Sequence, residues 1–520
     1  MKKALVMCLA ACLLMTGCGG KGETNKEAGG AAGSAPSGSE AADAAGSGNI
    51  KDEIIFCQGN DLTTLDATIG QQERAYSISN NMFDPLFTHD SDMKTQPCLA
   101  TEYEWADDTT LKLTIREGVK FHDGSDMNAE DVKFTLDLID QRGALFVGNY
   151  ESCTIDDDYH VTVKLKDPNP AFLSILTLPQ AAVVPAEYDE ASFGENPIGT
   201  GPYKLKEAVE GDYYTVERFD DYWGEPAKTQ FLTMKIVPEA SQRTMMLETG
   251  EVDVAYDIPN NDISRVQENK DLQILTCPSM KIILMELNCD SDGPVGNADV
   301  RKAVECAIDK QTIVDSLLYG FGTVSDNIVP QAAEDYREYE SNSYDPERAK
   351  SLLQQAGYGD GFELTLWTNS NQTNTEIAQV MQSQLAEVGI TLNIVTQDDN
   401  TSFSLIEAGE DFDLMLDFWQ TNSGHADYVF NGMLLSSSVN NFSRYYNSNF
   451  DDTYVKYAST GEGEEREALL KQLYDDMVTD TPIIGLYSET KVIAATSKLS
   501  GLALSQIGAH EYQNAVVTED

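Results

Sequence analysis

The stretch from Phe362 to Trp419 sets the class of fold. Phe362-Glu-Leu-Thr-Leu-Trp367 has the length and alternation of a strand, and a helical stripe follows with Ile377, Met381, Leu385 and Val388 on one side, stopped by Gly389. Ile390-Thr-Leu-Asn-Ile-Val395 reads as a second strand. A strand, a helix of about fifteen residues and a strand make a βαβ unit, which builds parallel sheet. The next strand is Phe412-Asp-Leu-Met-Leu-Asp-Phe-Trp419, where Phe412, Leu414, Leu416 and Phe418 alternate with Asp413, Met415, Asp417 and Trp419 and predict one firmly buried face. It runs into a polar loop, Gln420 to Tyr428. In open parallel sheets ligands bind beyond the carboxyl ends of strands, so if this strand joins in parallel, Trp419 to Tyr428 line a ligand site.

At 520 residues, with 41% hydrophobic content, the chain exceeds the roughly 250–300 residues at which single cores stop growing, so two or three domains are expected. A formal net charge of −51 argues against nucleic acid as a partner and for a solvated acidic surface. Lys2 and Lys3 precede an apolar run from Ala4 to Met15, short of the ~20 residues a spanning helix needs, so residues 1–17 are expected to be an export signal. The segment ends in Met15-Thr16-Gly17-Cys18, which resembles the lipobox of bacterial lipoproteins and implies an acylated Cys18. Residues 18–49, rich in Gly, Ala, Ser and Glu, read as a flexible tether. The expected location is the outer face of the cytoplasmic membrane, extracellular or periplasmic, with the chain held by lipid.

Six body cysteines, at 57, 98, 153, 277, 289 and 306, show no C-x-x-C spacing, which argues against a zinc or redox module. Cys277 and Cys289 flank the strand-like Met280–Leu287, and about twelve extended residues span ~40 Å against the ~6 Å a bridge requires. Buried free thiols are the default for the rest.

From Ile50 onward the local signals are explicit. Glu53–Cys57 reads as a strand, Ser77 to Phe83 as a helix and Thr110–Ile115 as an alternating strand. Asn128 caps a helix with Asp131 in its first turn and Val132, Thr135, Leu136 and Ile139 on one face, while Asp345 caps another that has Pro346 at its first position and Gly357 as its stop.

The block from Leu99 to Leu136, Leu-Ala-Thr-Glu-Tyr-Glu-Trp-Ala-Asp-Asp-Thr-Thr-Leu-Lys-Leu-Thr-Ile-Arg-Glu-Gly-Val-Lys-Phe-His-Asp-Gly-Ser-Asp-Met-Asn-Ala-Glu-Asp-Val-Lys-Phe-Thr-Leu, resembles the signature of the extracellular solute-binding family 5, the oligopeptide, dipeptide and nickel-binding proteins of ABC importers. Leu65-Asp66, Phe83–Phe87, Pro197–Tyr203, Asp220–Gly224, Asp299–Ala303 and Tyr344–Ala349 resemble family segments in the family's order; Ala67 stands where the family usually has Pro. The resemblance implies an α/β, periplasmic-binding-protein-like fold of type II (cluster C). Lobe I would comprise residues 50–86, 199–288 and 486–520, a satellite subdomain residues 87–198, and lobe II residues 289–485, with a hinge between the lobes.

A peptide ligand needs a carboxylate for its ammonium, strand-like partners for its backbone and pockets for its side chains. In oligopeptide-binding relatives the carboxylate comes from Trp-x-Ala-Asp-Tyr; here Ala426-Asp427-Tyr428 matches its last part, with Trp419 further upstream. The resemblance makes Asp427 the amine anchor; Trp419, which closes a strand and enters a polar loop, reads as a cleft wall, and Tyr428 beside it is a further ligand-binding candidate. By position it places Gln72 and Glu73 on a first-lobe segment beside ligand, and Asn369, Asn400 and Tyr487 at the rim. His425 is a candidate contact to a ligand or a metal chelate, but the five histidines, at 89, 122, 160, 425 and 510, show no second ligand at a metal-binding spacing, so no metal and no cofactor is expected. Trp105 and Trp223 sit in scaffold motifs. No G-x-S-x-G, H-E-x-x-H, Walker or G-x-G-x-x-G pattern occurs, so the chain reads as a binding protein and not an enzyme.

The expected function is capture of short peptides and delivery to an ABC permease by a monomeric lipoprotein. The alternatives are an oligosaccharide-binding member of the family, with Trp419, Tyr428 and Tyr487 stacking on sugar rings, a sensory surface lipoprotein without transport, and a secreted hydrolase with two distant carboxylates.

Overall fold

The computed structural model describes residues 49–69, 73–143, 149–187, 189, 193–339, 341–407, 410 and 412–519. The expected signal, Cys18, the tether and Gln72 lie outside the described residues, and of Glu73 and Asn400 only the backbone is described.

Two long strands, Leu272–Leu287 and Ile483–Thr496, run antiparallel through the molecule and hold one 11-stranded sheet together. On one side follow Val254–Tyr256, Glu53–Gln58, Phe231–Ile236, Tyr213–Arg218 and Tyr203–Val209; on the other follow Leu414–Gln420, Phe362–Thr368 and Ile390–Thr396. Gly322–Val324 pairs with the second long strand off this path. The pairing of the long strands slips between Pro278 and Ile282 and again between Ile283 and Leu284. Such irregularities bend a strand and raise its twist, which lets one pair of strands serve two differently oriented halves of a sheet. Each half has its own core: Ile54, Phe56, Tyr203, Leu232 and Met234 in the first lobe, Met285, Leu287, Val304, Leu366, Ile377 and Leu385 in the second.

The βαβ unit forms as its sequence dictates. Asn371 accepts from the backbone N–H of Thr373 and Asn374 to start the helix Gln372–Glu387, whose Ile377, Ala378, Met381 and Leu385 are buried, and Gly389 turns the chain at φ +89°. The flanking strands pair in parallel from Phe362↔Ile390 to Thr368↔Thr396. Leu414–Gln420 joins in parallel through Leu366↔Leu414 and Trp367↔Met415, and antiparallel to Leu272–Leu287 on its other edge.

The expected single buried face is corrected here. Leu414, Met415 and Leu416 are all buried, because the strand lies between two others and is covered on both faces, with Met415 packing on Trp367 and Phe412. Phe418 is 43% exposed: the parallel pairing has ended by then, and Lys281 Nζ lies over its ring, 4.3 Å from the centre.

The satellite is a four-stranded antiparallel sheet in the order Ala100–Asp107, Thr110–Ile115, His160–Leu165, Tyr150–Asp157. The helix Ala129–Arg142 packs on it behind a full capping box, Asn128 accepting from Glu130 N while Asp131 accepts from Asn128 N, and Gly143 in the left-handed region closes its end. Trp105 and Trp223 pack on this core; Trp223 Nε1 donates to Asp84 Oδ2 at 2.8 Å. The helix expected from Ser77 to Phe83 spans Glu73–Ser79 instead. The chain leaves it so that Asn81 can donate to Ser77 O and His510 O and accept from Tyr512 N, bonds that dock the C-terminal segment. The six body cysteines are free thiols. No helix among the described residues is long and apolar enough to cross a membrane.

Candidate functional site

Past Gln420 the chain leaves the end of its strand and meets both the first lobe and the satellite. Thr421 N bonds to Met280 O, and Gly424, at φ +69°, lets the chain double back so that Glu334 N bonds to Gly424 O and Ala426 N to Glu334 O. Asp427–Val429 is one helical turn, continued by a five-residue π-helix, Phe430–Leu434. Such turns recur at functional sites. Gly432 gives the Trp419 ring its place: a Cβ there would lie 2.3 Å from Trp419 Cζ2. Trp419 and Tyr428 lean together with ring centres 5.6 Å apart.

Across from this loop stand side chains from far apart in the sequence. Tyr76, on the first-lobe helix, receives hydrogen bonds on its hydroxyl from Gln180 Nε2 at 3.1 Å and Asn422 Nδ2 at 3.4 Å. Asn422 Oδ1 accepts from Gln420 Nε2, which also donates to Ile507 O. Gln506 accepts at its backbone carbonyl from Met280 N and donates from side-chain Nε2 to Ser91 O. His89, on the satellite, donates from Nε2 to Ser423 O at 3.1 Å beside the Thr177 hydroxyl. Burial pushes the His89 pKa down to about 4, against smaller opposing pulls from Ser423 O and Asp90, so the ring is neutral here.

Several buried polar atoms in this cluster bond to nothing among the described residues: Gln180 Oε1, Gln420 Oε1, Thr421 Oγ1, Gln506 Oε1 and Trp419 Nε1. Each such atom costs about 1–3 kcal/mol unless something bonds to it. Three are amide acceptors, suited to N–H or O–H donors, the Thr421 hydroxyl can accept or donate, and the fifth is a donor on an aromatic wall.

Asp427 sits half-buried at one end of the cluster. Its Oδ1 accepts from Tyr454 OH at 2.7 Å and its backbone N–H donates to His425 Nδ1 at 3.0 Å. His425, a candidate contact by sequence, is 2% exposed and lies behind the loop, because both neighbouring segments close over its ring. Tyr487 does not reach the rim: its strand is flanked by Leu272–Leu287 and Gly322–Val324, and the ring is buried in the second-lobe core. Asn369 serves the turn before a helix, accepting from Asn371 N and Asn374 Nδ2. So the structure brings Trp419, Tyr428, Asp427 and His425 together with Gln420 and Asn422 of the expected loop, and adds Tyr76, His89, Gln180 and Gln506, which lie outside every stretch expected to meet ligand. The one local signal for these was Gln180, a lone amide in the apolar run Leu178-Pro-Gln-Ala-Ala-Val-Val184. Among the described residues no group of three or more His, Cys, Asp and Glu is arranged to hold a metal ion.

The sequence matches the model of the bacterial extracellular solute-binding proteins, family 5 (middle region), over residues 94–441. It is 30% identical over 470 residues to the glutathione-binding protein of Salmonella typhi, covering 86% of this chain and 91% of that one. Among solved structures it is similar to an ABC transporter substrate-binding protein of Listeria monocytogenes, with a TM-score of 0.82 and 22% identity over 91% of this chain and 100% of that one. A dipeptide-binding protein of a Pseudoalteromonas species, in complex with Met-Leu, is similar with a TM-score of 0.79 and 23% identity over 90% of this chain and 100% of that one. At these identities the structures carry the fold alone, the two-lobed α/β arrangement of type II binding proteins.

Proposed function

Because the chain belongs to the bacterial extracellular solute-binding proteins of family 5, we propose that it captures short peptides where the Gln420–Tyr428 loop meets the first lobe and the satellite, and delivers them to an ABC permease. The observation that carries this reading is the cluster of buried acceptors without partners around the Tyr76 hydroxyl, with a carboxylate at one end. Peptide N–H groups satisfy such acceptors, and a terminal ammonium suits Asp427, whose second oxygen has no partner among the described residues. Trp419 and Tyr428 supply an aromatic wall that tolerates varied side chains. The Salmonella relative is a glutathione-binding protein and the Pseudoalteromonas neighbour holds Met-Leu, both peptidic ligands with a free ammonium.

The irregular pairing at Pro278–Ile282 is our candidate for the hinge between lobes. Cys18 is our candidate for lipid attachment at the outer face of the membrane. Metabolic labelling with a palmitate analogue tests this: label and membrane retention are expected in the natural chain and lost in Cys18→Ala.

Protein purified without denaturation and examined by mass spectrometry of its extract should release peptides in near-stoichiometric amount. Asp427→Asn should lower affinity for glutathione or Met-Leu about tenfold or more, the loss of one charge-assisted bond. Recovery of sugars alone, or unchanged affinity in Asp427→Asn, contradicts the reading.

A further inference from the structure

Behind the ligand loop, a row of charged and polar groups runs through an otherwise apolar cluster and ends on Asp427. Arg466, its side chain 3% exposed, places Nη2 2.6 Å from Asp335 Oδ2, and the Tyr457 hydroxyl donates to the same oxygen at 2.6 Å. His425 Nε2 faces that oxygen at 3.6 Å. On the other side of the ring, Nδ1 accepts the backbone N–H of Asp427. An imidazole nitrogen that accepts a hydrogen bond carries no proton, so the ring proton is on Nε2, pointing at the Asp335 carboxylate. The order is Arg466, Asp335, His425, Asp427, with Tyr454 closing on the Asp427 carboxylate from the same helix that supplies Tyr457.

Two features of this row exceed what core packing needs. Asp335 stands at φ +63°, a left-handed conformation that costs a residue with a side chain, and its segment clamps the loop from behind through Glu334. A buried ion pair in an apolar cluster is also no more stabilising than well-packed apolar side chains. Burial works to raise the Asp335 pKa, but the Tyr457 hydroxyl and the Arg466 guanidinium outweigh it and hold the group below the usual carboxylate range, so it stays charged behind the loop.

We propose that Asp335, held by Arg466 and Tyr457, is the positioning residue for the Asp427 amine anchor: it fixes the His425 tautomer that receives the Asp427 N–H and so sets where the anchor carboxylate points. The inference rests on the amine-anchor reading above. Asp335 does not touch ligand; it acts through His425.

The test reads amine discrimination, the ratio of affinities for a free peptide and its N-acetyl form, by calorimetry with glutathione and Met-Leu on the full-length protein. Loss of general stability lowers both affinities and leaves the ratio in place, whereas a misplaced anchor collapses it. Asp335→Asn removes the charge while keeping a side chain tolerant of the left-handed region, and should lower the ratio about tenfold. A second pair keeps the matter decidable if that variant folds poorly. His425→Asn retains an acceptor near the Nδ1 position and should hold the ratio within about threefold, while His425→Gln displaces that acceptor and should collapse it about as far as Asp335→Asn. If Asp427→Asn abolishes discrimination but Asp335→Asn and His425→Gln keep the natural ratio, the positioning role is overturned and the anchor stands. If the natural protein itself does not discriminate, the anchor reading fails and takes this inference with it.

Discussion

His89 is the residue at which pH should act on this site. Its bond to Ser423 O joins the satellite to the ligand loop, and burial there depresses its pKa to about 4, with Asp90 the acidic neighbour that opposes the shift. Because the pKa in this arrangement lies below the ordinary ~6.5, protonation works against this contact. The stabilisation is complete above pH ~6.5, falls by up to about tenfold in equilibrium constant per unit down to pH ~4, and changes no further below that. Peptide affinity measured from pH 7.5 to 5 should therefore weaken on the acid side, and His89→Gln should flatten the curve. An equally steep profile in the variant would exclude His89 as the group responsible. Gly424 faces the same ring: a Cβ would lie 3.2 Å from His89 Nε2, and φ of +69° strains any side chain. Gly424→Ala should cost about 1–2 kcal/mol in urea unfolding. The need for Gly at that position was not readable from the loop, since several backbone paths fit Asn-Ser-Gly-His.

At the scale of elements, what local chemistry controls was legible. The Asn128 and Asp345 caps, the Gly389 stop and the βαβ unit form where their residues require, because a cap or a 3.6-residue stripe acts within one turn. Asn128→Ala should destabilise the satellite helix by about 1 kcal/mol, visible as faster hydrogen exchange in Ala129–Arg142, with the rest of the chain unchanged. Elements whose surroundings arrive from a distance were less legible. Phe418 repeats the apolar alternation yet is exposed, since what covers a strand face depends on where its neighbours end. Tyr487 looked like a rim aromatic and is core, because its strand has a partner on each side. The helix read as Ser77–Phe83 stops at Ser79, because Asn81 bonds to residues near the C-terminus.

At the scale of the molecule, the candidate site is a convergence that no window of sequence contains. Tyr76, His89, Gln180, Gln420 and Gln506 belong to separate stretches, joined by hydrogen bonds among themselves and through Asn422, Ser423 and Met280. One end of it, Trp419 to Tyr428, could be found from the rule that ligands sit beyond the carboxyl ends of parallel strands. The opposing amides could not, because buried Gln and Asn resemble surface Gln and Asn until their neighbours are known. Titration calorimetry of the intact protein with glutathione and Met-Leu, each free and N-acetylated, tests whether this cluster with Asp427 receives a peptide by its free ammonium. The predicted result is saturable one-to-one binding without consumption of ligand, weakened at least about tenfold by acetylation. Equal affinity for free and acetylated peptide, or no binding of either peptide, would contradict it.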